Sequence, residues 1–367
     1  MSLDLRRPLV AAVLAALVLT PAMAEARVIK GNSANNTLLG TESADKISAG
    51  GGHDRINGRG GNDRIEAGSG NDRVVGGTGN DAILAAAGND VIDAGAGHDS
   101  VNAGAGNDSV LGGDGNDSLG GGDGADRVNG GPGDDRRLSG LGGDDVILGE
   151  AGNDRQMLGD NGNDVLDGGA GNDELQGSSG NDRVIGGDGD DHAQGGPGND
   201  RVYGGTGNDQ LDGDEGDDFI DGGPGDESCP SFGPKVVGAT CTGFPAAGNR
   251  IDITADAGDD VVYPGDGKDN VFGESGADLI VLTDDGAYDR VSCNVGPTKT
   301  PGDQVVYVGP VDTDDDILAN CPAPQSMSAE AFMKNPAFVY PGTTTHLPLP
   351  AGVTLPRPAP LAGWLGL

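Results

Sequence analysis

From Asp54 onward an aspartate returns every nine residues, with a glycine two positions before it and, almost always, a large aliphatic two positions after it. The series runs Asp54, Asp63, Asp72, Asp81, Asp90, Asp99, Asp108, Asp117, Asp126 and Asp135. After a one-residue slip it continues as Asp145 and Asp154, and after a second as Asp164, Asp173, Asp182, Asp191, Asp200, Asp209 and Asp218. Glycines permit positive φ and close backbone approach, so the recurring G-G-x-G-x-D turns the chain tightly and can aim several carbonyls at one point. One carboxylate among carbonyls suits a hard divalent cation, which takes about six to eight oxygens at flexible angles. Turn shaping alone would accept Asp, Asn or Ser, yet the acid is Asp in all nineteen copies while the residue before it varies among Asn, His, Asp and Ala. Only the acid behaves as a ligand.

The residues that follow each turn must position it. Asp-x-U-x, with U aliphatic (Ile56, Ile65, Val74, Ile83 and so on, with Ala193 the weak case), is a minimal strand that sends one side chain inward and its neighbours outward. Two nonapeptides then close one coil of a solenoid. Composition agrees: 71 glycines and 12 aromatics in 367 residues do not describe an ordinary packed enzyme, and no strict Gly-X-Y period supports collagen. A formal charge of −37 repels nucleic acid and anionic membrane surfaces and calls for a cationic counterpart.

Written from its glycines the unit is G-G-x-G-x-D-x-U-x, and on this motif the chain resembles the RTX, or hemolysin-type, calcium-binding repeat proteins, densely over about half its length. The resemblance implies an all-β chain: a right-handed parallel β-roll stapled by Ca2+, with each ion held between the turns of repeats i and i+2 and shared by their Asp side chains. Asp54 then pairs with Asp72, and Asp63 with Asp81. Roughly seventeen shared ions would nearly cancel the formal charge. One aliphatic per nine ordered residues is too little burial to fold the chain, so a largely disordered chain without calcium and a roll with it are expected.

Four further regions frame the repeats. Residues 1–24 read as a secretory signal, with Arg6 and Arg7, an apolar run from Leu9 to Thr20, and Ala22-Met23-Ala24 before Glu25. Residues 25–228 form the repeat roll, and 229–321 a disulfide-containing region with degenerate repeats at Asp260, Asp269 and Asp278, then at Asp289 and Asp303. Residues 322–367, rich in Pro and Ala, read as an extended tail. The preferred pairings are Cys229 with Cys241 and Cys293 with Cys321, the second stapling the last coils. The period slips at Arg136-Arg137 and Arg155-Gln156 fall in adjacent coils, predicting stacked β-bulges with Leu138 and Met157 inward.

No HExxH and no GxSxG nucleophile elbow occurs, so no enzyme is expected. The expectation is a secreted calcium-binding protein with many bound ions, no nucleic-acid partner and no membrane span in the mature chain. The alternative is a calcium-rigidified adhesin or cell-surface structural protein that meets an unidentified partner through its C-terminal region.

Overall fold

The computed structural model describes residues 26–223 without a break, much of 251–293, and short segments between 304 and 331. Among the described residues, strands alternate between two parallel sheets of fifteen strands each, so that strand n pairs with strand n+2 and never with its sequence neighbour. Sheet 1 begins Val28–Lys30, Lys46–Gly51, Arg64–Ser69; sheet 2 begins Thr37–Leu39, Arg55–Gly60, Arg73–Thr78. Two nonapeptides therefore complete one coil, as the motif predicts, and Ile56 stacks on Val74 while Ile65 stacks on Ile83.

The core is the single column of side chains between the sheets. In Arg64–Ser69 the aliphatic Ile65 and the small Ala67 point inward and are buried, while Arg64 is exposed and Glu66 half-buried. The inward pair of an aliphatic and a Gly or Ala recurs from strand to strand as far as Arg201–Thr206, whereas the C-terminal coils place two large residues inward, Ile280 with Leu282 and Val305 with Tyr307. Ala193 is fully buried and keeps its place in the column.

The two slips are absorbed as expected. Leu138 stacks on Leu119 and Met157 on Leu138, both fully buried. Arg136 and Arg137 together stand beside Ser118: Arg136 N–H donates to the Asp117 carbonyl at 2.9 Å, and Arg137 is the residue in register with Ser118. The next coil repeats the device with Arg155 and Gln156, so the two extra residues lie one above the other.

The C-terminal coils are less regular. Val262, Val271, Ile280, Val291 and Val305 extend the inner column, and Cys293 and Cys321 form a disulfide. From Phe219–Asp221 onward sheet 2 is buried on its outer side as well, through Phe219, Val261, Tyr263 and Val281. Gln325–Met327, from the segment read as tail, pairs with Gln304–Val308 as the last strand of sheet 2. Cys229, Cys241 and Glu227 lie outside the described residues, as does the signal segment. No helix among the described residues is long and apolar enough to cross a membrane.

Candidate metal centres

Each motif acid sits at the mouth of a turn, just before its strand, and the alternation of strands sorts the acids onto two edges. On the edge entering sheet 2, Asp54, Asp72, Asp90, Asp108, Asp126, Asp145, Asp164, Asp182, Asp200, Asp218, Asp260 and Asp278 form one continuous ladder. The backbone N–H of each up to Asp260 donates to the Oδ1 of the acid one coil on, at 2.7–3.3 Å. On the other edge, Asp63, Asp81, Asp99, Asp117, Asp135, Asp154, Asp173, Asp191 and Asp209 do the same at 2.7–3.0 Å. Asp54 is thus joined to Asp72, and Asp63 to Asp81, by hydrogen bonds from backbone N–H to Oδ1.

One oxygen of each carboxylate is consumed this way and the other is not. In the twenty acids from Asp54 to Asp218 and Asp260, Oδ2 is buried and has no hydrogen-bond partner. A buried carboxylate oxygen without a partner is costly, so a row of them needs a cation. Desolvation pushes the carboxyls of Asp81 and Asp191 up to about 7, of Asp218 to about 8 and of Asp260 to about 9. Donation from the preceding coil opposes the shift, and the charges of neighbouring aspartates add to it.

Carbonyls converge on the same points. A Cβ placed on Gly177 would lie 2.5 Å from Asp182 Oδ2 and 2.6 Å from the Gly195 carbonyl oxygen; Gly168 has the same relation to Asp173 and the Gly186 carbonyl, both at 2.5 Å. Glycine at this position lets a carboxylate and a carbonyl of the next coil approach one patch of backbone. Among the described residues no three His, Cys, Asp or Glu side chains gather as a metal-binding group. A site here must draw the rest of its oxygens from backbone, which is the donor set of Ca2+ rather than of zinc. The residues fit the ion.

The family comparison agrees with this geometry. A family model described as RTX calcium-binding nonapeptide repeat matches residues 30–65, 66–101, 102–136, 137–155, 158–193, 194–226 and 252–280, well over half the chain. The chain belongs to the RTX calcium-binding nonapeptide repeat family. No curated protein matches it in a whole-sequence search.

Within this RTX roll, three features escaped the motif. Asp45 heads the second edge and receives no slot in the nonapeptide count, because its turn reads G-T-E-S-A-D. Its Oδ2 accepts from Thr41, from the backbone N–H at 2.6 Å and from Oγ1 at 3.0 Å, so this carboxylate is satisfied internally. Second, the edge entering sheet 1 is broken after Asp209. Leu211 pairs with Ile253 and Ile251 pairs with Asp269, which puts an isoleucine where the next acid belongs. Asp269 resumes with Asp289, its N–H donating to Asp289 Oδ1 at 3.1 Å. Third, the residue before each acid forms its own outer ladder, running in the opposite sense. Asn62 Oδ1 accepts from the Asn80 N–H at 3.0 Å, and His53 Nδ1 accepts from Asn71 at 2.8 Å. Asn, Asp and His all supply that acceptor, whereas Ala125 only donates, its N–H to Asn107 Oδ1 at 3.3 Å.

Proposed function

We propose that the protein is an exported calcium-binding protein whose stacked turns hold many Ca2+ ions and fold as they do so. The observation that carries this reading is the row of buried Asp Oδ2 atoms without partners, which the rest of the hydrogen-bond network does not satisfy. The ligands would be Asp54 to Asp218 as named above, with Asp260, Asp269 and Asp278 in the degenerate coils, each aided by turn carbonyls. Calcium bound there supplies the countercharge that two ladders of carboxylates lack.

Export is supported by the leader-like residues 1–24 and by the Cys293–Cys321 disulfide, since such bonds persist in oxidising compartments. A non-catalytic role is supported by the histidines: His53 and His98 spend Nδ1 on the outer ladder, accepting from Asn71 and Asn116 at 2.8 Å.

Calorimetric titration with Ca2+, run with circular dichroism, tests the proposal. Cooperative uptake of many ions with a coil-to-β transition is expected. Full β-structure in chelator with no uptake would overturn it and leave the aspartates as turn formers in a structural rod.

A further inference from the structure

The first coil stands on the same frame as the rest but closes its turns differently. Ile29 stacks on Ile47 and Leu38 on Ile56. The coil also joins both ladders: the N–H of Asn36 donates to Asp54 Oδ1 and that of Asp45 to Asp63 Oδ1, each at 2.6 Å. Its two turns, Gly31-Asn32-Ser33-Ala34-Asn35-Asn36 and Gly40-Thr41-Glu42-Ser43-Ala44-Asp45, keep the first glycine of the unit and lack the others. In the next coil the residues four and two before the acid have positive φ: Gly50 and Gly52 at 108° and 98° ahead of Asp54, Arg59 and Gly61 at 78° and 91° ahead of Asp63. None of Asn32, Ala34, Thr41 and Ser43 has a positive φ. The strands stop early as well, since Val28–Lys30 and Thr37–Leu39 have three residues where Lys46–Gly51 and Arg55–Gly60 have six.

What changes with the turn is the second oxygen of the ladder residue. From Asp54 to Asp218 that oxygen is buried and has no hydrogen-bond partner. At Asp45 it accepts the Thr41 N–H at 2.6 Å and the Thr41 hydroxyl at 3.0 Å, while Oδ1 accepts the Arg27 N–H, so both oxygens are in use. Asn36 carries no charge, and its Oδ1 accepts the Asn32 N–H at 2.8 Å. The side chain of the donor residue clamps each turn in turn: Asn32 Oδ1 accepts the Ala34 N–H at 2.8 Å, and Thr41 Oγ1 accepts the Ser43 N–H at 3.2 Å. These donors sit where the ion belongs. In the second coil a Cβ on Gly58 would strike both Asp63 Oδ2 and the Gly76 carbonyl oxygen, the pair that converges on one ion. Gly31 has the same relation to Asn36 Oδ1 and the Ala49 carbonyl, and Gly40 to Asp45 Oδ2 and the Gly58 carbonyl. An N–H or O–H aimed at that oxygen puts the positive end of its dipole in the cation's place and takes the lone pair the cation needs.

We propose that residues 26–45 form a calcium-free cap, in which the N–H groups of Asn32 and Thr41 stand in for the ion. Both rows of ions then begin one coil later, between Asp54 and Asp72 on one edge and between Asp63 and Asp81 on the other. The end of a solenoid needs a coil that holds with a neighbour on one side only, and turns closed by their own donors meet that need at any calcium level. The assignment rests on the calcium reading of the remaining turns and divides the chain's turns into two kinds that the family match over 30–65 does not separate.

The test is anomalous difference density from crystals of the full chain grown in calcium and measured at long wavelength. Expected is ion density between Asp54 and Asp72 and between Asp63 and Asp81, with none between Asn36 and Asp54 or between Asp45 and Asp63. Density at either of the last two positions would overturn the cap and leave the calcium reading standing. Density nowhere along the roll would sink the calcium reading itself, and with it the contrast on which the cap depends. A second arm in solution restores the missing glycines. Thr41→Gly/Ser43→Gly frees Asp45 Oδ2, and equilibrium dialysis against calcium should show a gain of about one ion per chain, with circular dichroism confirming the fold. Asn32→Gly/Ala34→Gly/Asn36→Asp should gain about one more on the other edge. Unchanged uptake by folded variants would overturn the assignment of Asn32 and Thr41 as the groups that exclude the ion; should a variant misfold, the density of the unaltered chain decides.

Discussion

Asp200 donates its backbone N–H to Asp218 Oδ1 at 2.8 Å while its own Oδ1 accepts from Asp182 at 2.7 Å. One side chain thus does two separable jobs: Oδ1 splices adjacent coils, and Oδ2 stays buried and without a hydrogen-bond partner. Substitutions can part the two. Asp182→Asn keeps an acceptor for the Asp164 N–H and removes the charge, whereas Asp182→Ala removes both. Calorimetry is expected to show lost calcium uptake in both variants. Thermal unfolding in calcium should show the alanine variant less stable than the asparagine variant by about 1–3 kcal/mol, the penalty of an orphaned buried donor.

The raised carboxyls fix the sign of the pH response without metal. Burial lifts Asp81 and Asp191 to about 7, Asp218 to about 8 and Asp260 to about 9, above the unfolded value of 3.8. A group whose folded pKa is raised binds more protons when folded, so its contribution is present at low pH and is lost as pH rises through the folded value. In chelator, β-structure should therefore grow as pH is lowered from about 9 towards about 4. With calcium the order reverses, because protons compete for the same oxygens. A metal-free circular dichroism signal that strengthens towards high pH would contradict the ladder's burial.

Stacking of turns depends on glycines that carry positive φ. Gly180 has φ 146°, and a Cβ there would strike the carbonyl oxygen of Gly162 in the coil before. Gly180→Ala should destabilise the calcium-loaded roll by more than about 1 kcal/mol, measured by thermal unfolding, since both the conformation and the space exclude a side chain. Alanine already stands at Ala94, where φ is not positive and the residue is simply part of the inner column. Ala94→Gly is expected to cost less.

The sequence revealed the period, the acids and the inward aliphatics because each is local to one nonapeptide. Leu138 and Met157 could be placed because a slip of one residue moves the next large apolar group into the column. Other features depend on what lies a coil away. Asp45 is a ladder acid like its neighbours, and although its turn departs from the motif, that Thr41 satisfies its carboxylate shows only once the turn is folded. Ile251 replaces an acid only after residues 224–250 have been passed and the register with Leu211 is re-established. Arg55, Arg73, Arg127, Arg183 and Arg201 are scattered in sequence and fall into one outward column only once alternate repeats are assigned to alternate sheets, as Lys46, Arg64 and Arg137 do on the other sheet. The buried outer side at Phe219 and Tyr263 is harder still, since aromatics at strand positions say nothing about which face is covered.

The Cys293–Cys321 bond should act locally. It closes a 28-residue separation at the end of the inner column, where the glycine turns thin out and the acid ladder entering sheet 1 has already been interrupted at Ile251. Among the described residues those coils show fewer splicing carboxylates than the roll, so the cross-link carries more of their stability; a closed loop of this length is worth roughly 3–4 kcal/mol. A solenoid transmits stability mainly between neighbouring coils. Cys293→Ser/Cys321→Ser is therefore expected to raise hydrogen exchange in Leu279–Leu282 and Gln304–Val308 while leaving Arg64–Ser69 protected in calcium. Equal loss of protection along the whole roll would show instead that the C-terminal coils nucleate every coil before them.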